Sequence, residues 1–226
     1  MYRYPNTQSN MQPPLNPNEL NGLHGTTTVA TKFKGGIVVV ADHRASGGTF
    51  IMSKNAQKVH KLNEKTVTTI SGLVSDAQYI IRLTRAEMRL FELSRNLSIT
   101  TKMAGNLLAS MLHNQFRTGF PFYVHLIVAG IDEEGTHVYF LDHSGSINDE
   151  EYASTGSGSL VAYGVLEALF KKEMTEAKAI NVTIRALAAS MERDAATGNG
   201  MDCLIITDDG IRELSNEEID AELKKE

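Results

Sequence analysis

The chain contains no tryptophan, one cysteine, and one proline beyond residue 17. A single thiol, Cys203, excludes an intramolecular disulfide and fits a reducing compartment. Lying in the apolar run Met201–Ile206, it reads as a buried core thiol rather than a nucleophile. Basic charge is scarce as well: 22 Lys and Arg against 27 Asp and Glu leave a net charge of −5. The pairs Lys171-Lys172 and Lys224-Lys225 have acidic neighbours, so no patch suits a nucleic-acid backbone. No apolar run approaches the roughly eighteen residues of a membrane span. The first residues lack the apolar stretch of a secretory signal. A cytoplasmic protein with no nucleic-acid or membrane partner is expected.

Several common chemistries are missing too. There is no phosphate-binding G-x-x-x-x-G-K-[ST] run, and Gly156-Ser157-Gly158 lacks the third glycine of a dinucleotide site. The same stretch has glycine where the serine of G-x-S-x-G would stand. The 7 histidines are scattered, without the paired spacing of metal ligands, so neither metal nor cofactor is expected.

What is present divides sharply. Residues 1–25 hold Pro5, Pro13, Pro14 and Pro17 among Asn and Gln, with little to bury, and read as a disordered, removable leader. Order is expected from Thr26 onward as one domain with an acidic C-terminal tail. Thr28–Phe33 alternates, Lys34-Gly35-Gly36 turns, and Ile37–Ala41 is a continuous apolar strand, a hairpin with one arm buried on both faces. Ser46-Gly47-Gly48 reads as a tight turn and Lys65–Ile70 as a strand. From Asp76 to Leu93 the period becomes helical, with Ala77, Ile80, Ile81, Thr84, Met88 and Phe91 inward. Leu83, Leu90 and Leu93 form a second stripe, which predicts a helix covered on two sides. A second helix runs from about Thr100, with Met103, Leu107, Leu108, Met111 and Leu112 inward, and Gly119 before Pro121 ends it. Strands follow at Tyr123–Gly130 and His137–Leu141, helices at Leu160–Lys172 and Glu176–Ala195, and a hairpin joins Cys203–Thr207 to Ile211–Leu214. Helices come in pairs between groups of strands, which predicts an α+β fold: a four-layer αββα sandwich of two antiparallel sheets.

The polar residues at strand and helix ends are ordinary one by one. Asp42 closes the buried strand, Lys58 interrupts Asn55–Val59, and Arg193-Asp194 ends a helix; most such charges are simply exposed. Together with Gly25-Thr26-Thr27-Thr28-Val29, Ala41–Ser46, Ser71–Ala77, Thr155–Ser159 and Arg193–Gly198, they resemble the β subunits of the core proteasome, archaeal in type. The resemblance spans residues 25 to about 214, in order.

That resemblance implies a threonine endopeptidase whose propeptide is cut between Gly25 and Thr26 by its own chemistry. Thr26 becomes the N-terminal nucleophile. A free α-amine, with an ordinary pKa of about 7.7–8.0, can take the hydroxyl proton, whereas an amide nitrogen cannot. Asp42 and Lys58 match the carboxylate and ammonium beside the threonine, and Ser157, Asp194 and Thr197 match the groups around its amine. The N–H of Gly72 matches the oxyanion donor. Thr197 departs from the usual R-D-x-x-S-G pattern: threonine replaces serine, so the hydroxyl survives and an extra methyl must fit. Ala45, Ser46, Ala56, Ile70 and Val74 match the substrate pocket, whose apolar character implies cleavage after hydrophobic residues. The implied partners are other β subunits in a seven-membered ring, α subunits, an ATPase ring acting through them, and unfolded polypeptides. A β subunit that assembles without cutting, and a small-molecule amidohydrolase with the same nucleophile, are the alternatives.

Overall fold

The computed structural model describes residues 25–225, so the expected leader lies, up to residue 24, outside the described residues. Strands β1 (Thr27–Phe33) and β2 (Gly36–Asp42) form the expected hairpin, and every residue of β2 is buried. Next come the small hairpin β3 (Ala45–Gly47) and β4 (Phe50–Ser53), then β5 (Val59–Lys61) and β6 (Thr66–Gly72). Helices α1 (Val74–Arg95) and α2 (Thr101–Arg117) lead to β7 (Val124–Asp132), β8 (Gly135–Leu141), β9 (Ile147–Asp149) and β10 (Tyr152–Gly156). The chain continues through α3 (Ser159–Leu169), α4 (Glu176–Arg193), β11 (Met201–Thr207), β12 (Gly210–Glu213) and α5 (Asn216–Leu223). One five-stranded antiparallel sheet has the order β10-β1-β2-β11-β12 and the other β5-β6-β7-β8-β9.

Two-residue periodicity explains the layering, because successive strand side chains point to opposite faces. From β2, Ile37, Val39 and Ala41 pack with Ile127, Ala129 and Val138 of the facing sheet. Val38 and Val40 point the other way, onto Leu166 of α3 and Ile184 and Leu187 of α4. On the far side Leu126, Val128 and Leu141 meet Ile80 of α1 and Leu108 and Leu112 of α2. Helix pair, sheet, sheet, helix pair: this is the predicted αββα sandwich.

Four expectations need correction. Leu90 and Leu93 are 62% and 67% exposed, so the second stripe of α1 is not covered by this chain. Met103 is exposed on α2 rather than inward, because Ala104 and Leu108 form the face that meets the sheet. Ser46 and Gly47 belong to β3, and the turn falls at Gly48 and Thr49. The acidic tail carries α5, started by a capping box in which Ser215 and Glu218 satisfy each other's backbone N–H.

Candidate active site

The site forms where the ends of β1, β2, β6 and β10 meet. Gly25 is tied to β3 by its N–H, which donates to Ser46 Oγ at 3.1 Å. A Cβ on Gly25 would fall 1.8 Å from the Ala196 Cβ, so no side chain fits there. Thr26, 6% exposed, donates its hydroxyl to the Gly25 carbonyl oxygen at 2.7 Å. The β-branched Thr26 has few rotamers to choose from, which holds the hydroxyl on that carbonyl.

Asp42 ends β2 directly beneath this segment, and it has no exposed surface. Its Oδ1 accepts from Thr27 N at 2.8 Å and Lys58 Nζ at 2.6 Å. Its Oδ2 accepts from Gly198 N at 2.9 Å and Arg44 N at 3.0 Å. A carboxylate taken out of water must be paired and hydrogen-bonded throughout, and this one is. Lys58 reaches it because the Lys58 carbonyl accepts from Ile70 N at 3.0 Å, extending the β5–β6 ladder by one residue. The ammonium also donates to the Arg44 carbonyl. Burial pushes the Lys58 pKa down, and the Asp42 and Asp194 carboxylates pull it back up. Lys58 and Thr26 line the same small cavity, of about 40 Å³.

The other flank is built from hydroxyls. Thr26 N donates to Ser157 Oγ at 3.3 Å. Asp194, the C-cap of α4, accepts on Oδ2 from Ser157 Oγ at 2.5 Å and from Thr197 Oγ1 at 2.6 Å. With the Thr197 proton committed to Asp194, the 2.7 Å contact between Thr27 and Thr197 must be donated by Thr27. Thr27 Oγ1 is then free to accept from Gly158 N at 3.1 Å. Each hydroxyl has one proton, so the carboxylate sets one direction for the whole chain. Thr197 is fully buried, and its methyl is accommodated without loss of either bond.

A family description for proteasome subunits matches residues 23–206. The chain belongs to the proteasome subunit family. A proteasome subunit beta of Methanosphaerula palustris is 42% identical over 203 residues, covering 89% of this chain and 95% of the relative. One from Methanocorpusculum labreanum is 44% identical over 196 residues, covering 86% and 92%. A proteasome subunit beta 1 of Korarchaeum cryptofilum is 41% identical over 197 residues, covering 87% and 95%.

The residues named for the site by resemblance to this family are gathered by the fold. Thr26, Asp42, Lys58, Ser157, Asp194 and Thr197 form the two flanks just described. Ala45, Ser46, Ala56, Ile70, Val74 and Gly72 line the small cavity beside Thr26. Gly72 sits at φ +106°, and a Cβ there would come 2.1 Å from the Tyr123 carbonyl oxygen, so only glycine fits. Thr27, Gly198 and the backbone of Arg44 were not foreseen as parts of the site. For Thr27 a signal did exist: in an alternating strand, a threonine next to Thr26 must face the opposite side, toward the helices. Among the described residues, no group of three or more His, Cys, Asp or Glu is arranged to hold a metal ion.

Proposed function

We propose that this chain is a peptide-cleaving β subunit of the core proteasome, with Thr26 as its nucleophile once the Gly25–Thr26 bond is cut. The contact that carries the reading is the Thr26 hydroxyl on the carbonyl of a glycine that cannot bear a side chain. The hydroxyl oxygen adds to the Gly25 carbonyl carbon, the Thr26 nitrogen leaves with a proton, and the acyl group passes to oxygen as an ester. Water then cleaves the ester, leaving a carboxylate on Gly25 and a free amine on Thr26. Before that step the nitrogen is an amide and no base, so the threonine stays weak until the leader is gone.

In later turnovers the amine takes the hydroxyl proton as Oγ1 attacks a peptide carbonyl, then gives it to the departing amine. The Lys58 ammonium keeps that amine from protonating and favours a developing alkoxide, while Asp42 holds the ammonium in place. Ser157, Asp194 and Thr197 orient the amine, and the Gly72 N–H stabilises the tetrahedral oxyanion. The apolar wall of Ala45, Ala56, Ile70 and Val74 suits cleavage after hydrophobic residues. The relatives' name supports a place in the core particle with other subunits. The proposal sets the chain in a seven-membered β ring beside α subunits, fed with unfolded polypeptide by an ATPase ring, in the cytoplasm. The proposed enzyme uses no metal or cofactor.

The test is intact mass and N-terminal sequencing of the chain after co-assembly with an α partner. It is expected to begin at Thr26. Thr26→Ala should retain the leader and lose peptide hydrolysis by on the order of 10⁴-fold or more. A fully assembled particle whose chain still begins at Met1 would overturn the reading.

A further inference from the structure

A second, larger cavity of about 610 Å³ opens on the other side of Thr26, within the roughly 300–1,000 Å³ usual for ligand sites. It touches the reacting threonine's surroundings at two places: Ser71 and Gly72 at the end of β6, and Gly156 and Ser157 at the end of β10.

Direction along the peptide can be read from Gly25 and Thr26. Gly25, on the acyl side of the scissile bond, pairs with Ser46 of β3, on the flank of the small cavity. The Thr26 nitrogen, on the leaving side, points to Ser157. A departing amine must lie within reach of the group at that nitrogen to collect its proton. The departing half of a substrate therefore runs past Ser157, into the large cavity.

One wall of this cavity is made of rings. Phe116, at the end of α2, meets His143 edge-on with centroids 5.8 Å apart. His143 meets His125 of β7 edge-on at 5.8 Å, and His125 stacks on Phe140 of β8 at 6.2 Å. All four rings line the cavity. Such separations are those at which aromatic rings attract one another, so a fifth ring finds edges and faces ready to receive it. Burial and the neighbouring His143 push the His125 pKa below its ordinary value. At neutral pH His125 therefore presents a neutral ring.

We infer that this cavity is the subsite for the segment released after the cut, and that the wall of Phe116, His143, His125 and Phe140 selects an aromatic side chain there. The inference rests on the hydrolase reading of Thr26. Its consequence is that preference lies on both sides of the bond: an apolar residue before it in the small cavity, an aromatic one after it in the large one.

The experiment uses assembled, processed particles and internally quenched peptides with leucine before the cut and either tyrosine or alanine in the residues just after it. The cleaved bond is identified by mass. In the unmodified particle, tyrosine is expected to raise kcat/KM about tenfold over alanine. His143→Ala and Phe116→Ala, on different elements, should each bring that ratio toward one. Because the ratio is internal to each variant, a general loss of activity does not imitate the result. A ratio near one in the unmodified particle overturns the inference. So does a large ratio left unchanged by both variants, which would mean that the aromatic preference is set outside this wall. If the particle cuts neither peptide, the hydrolase reading itself falls; if it cuts both equally, only the subsite is lost.

Discussion

On one side of Thr26 the Asp42 and Lys58 side chains are 0% and 4% exposed, and four donors converge on one carboxylate. On the other side Ser157 is exposed, Asp194 is half-buried, and the links are hydroxyls, each of which can turn. The sealed flank holds a charge in place; the open flank holds a proton direction. A buried ion pair fails as a unit, because removing one partner strands the other. A hydroxyl chain tolerates any side chain that supplies a donor and an acceptor at the same point. Threonine at 197 is such a side chain, its one hydroxyl meeting both Asp194 and Thr27.

The sharpest way to break this contrast is Asp42→Asn. It leaves the Lys58 ammonium without its counter-charge, which should destabilise the chain by about 3–5 kcal/mol. The expected fall in Tm is on the order of 10 °C, read by thermal denaturation of the assembled particle. Adding Lys58→Met should recover much of the stability but none of the peptide hydrolysis. A loss near zero for Asp42→Asn would mean that water reaches the pair.

Asp194→Asn should behave differently. The carboxyl is partly exposed and its hydroxyl partners can reorient, so the loss of stability should be about 1–2 kcal/mol. Activity should fall more, about a hundredfold in kcat with KM little changed, since proton direction at the amine is lost. A Tm as low as that of Asp42→Asn would erase the distinction between the flanks.

The smallest effects on activity are expected at the two buried threonines. Thr27→Val strands the Gly158 N–H, at about 1–3 kcal/mol, and lowers kcat by several-fold, while Thr27→Ser keeps kcat near the starting value. Thr197→Ser removes only a methyl, worth about 1 kcal/mol, and should leave kcat within about twofold. If Thr27→Ser is as impaired as Thr27→Val, packing rather than the hydroxyl matters at residue 27.

The outer layers offer a second contrast, and it bears on legibility. The residues of α4 that recur at helical spacing are buried against β1 and β2, as a pattern reader would expect. The leucines of α1 have the same kind of periodicity, yet Leu90 and Leu93 face outward. Periodicity says which residues share a face, and it cannot say whether anything lies against that face. Helix α5 was legible and was passed over: Ser215 and Glu218 have capping-box spacing, although the acidic composition around them suggests a tail.

The sequence by itself determined the alternation that sorts β2 between two cores, the pairing of helices between strand groups, and hence the layers. Those follow from periodicities of 2 and 3.6, which are local properties of the backbone. Its spaced motifs also pointed to Thr26, Asp42, Lys58, Ser157 and Asp194 through a family resemblance. Only the tertiary structure decided that Lys58 is buried, since a lone lysine in a polar segment is ordinarily solvated. Only it showed Thr27 and Thr197, 170 residues apart, sharing a hydrogen bond. It alone brought Phe116, His125, Phe140 and His143 to one wall. Contacts of that kind depend on which strand ends meet across the sandwich, and no local period encodes them.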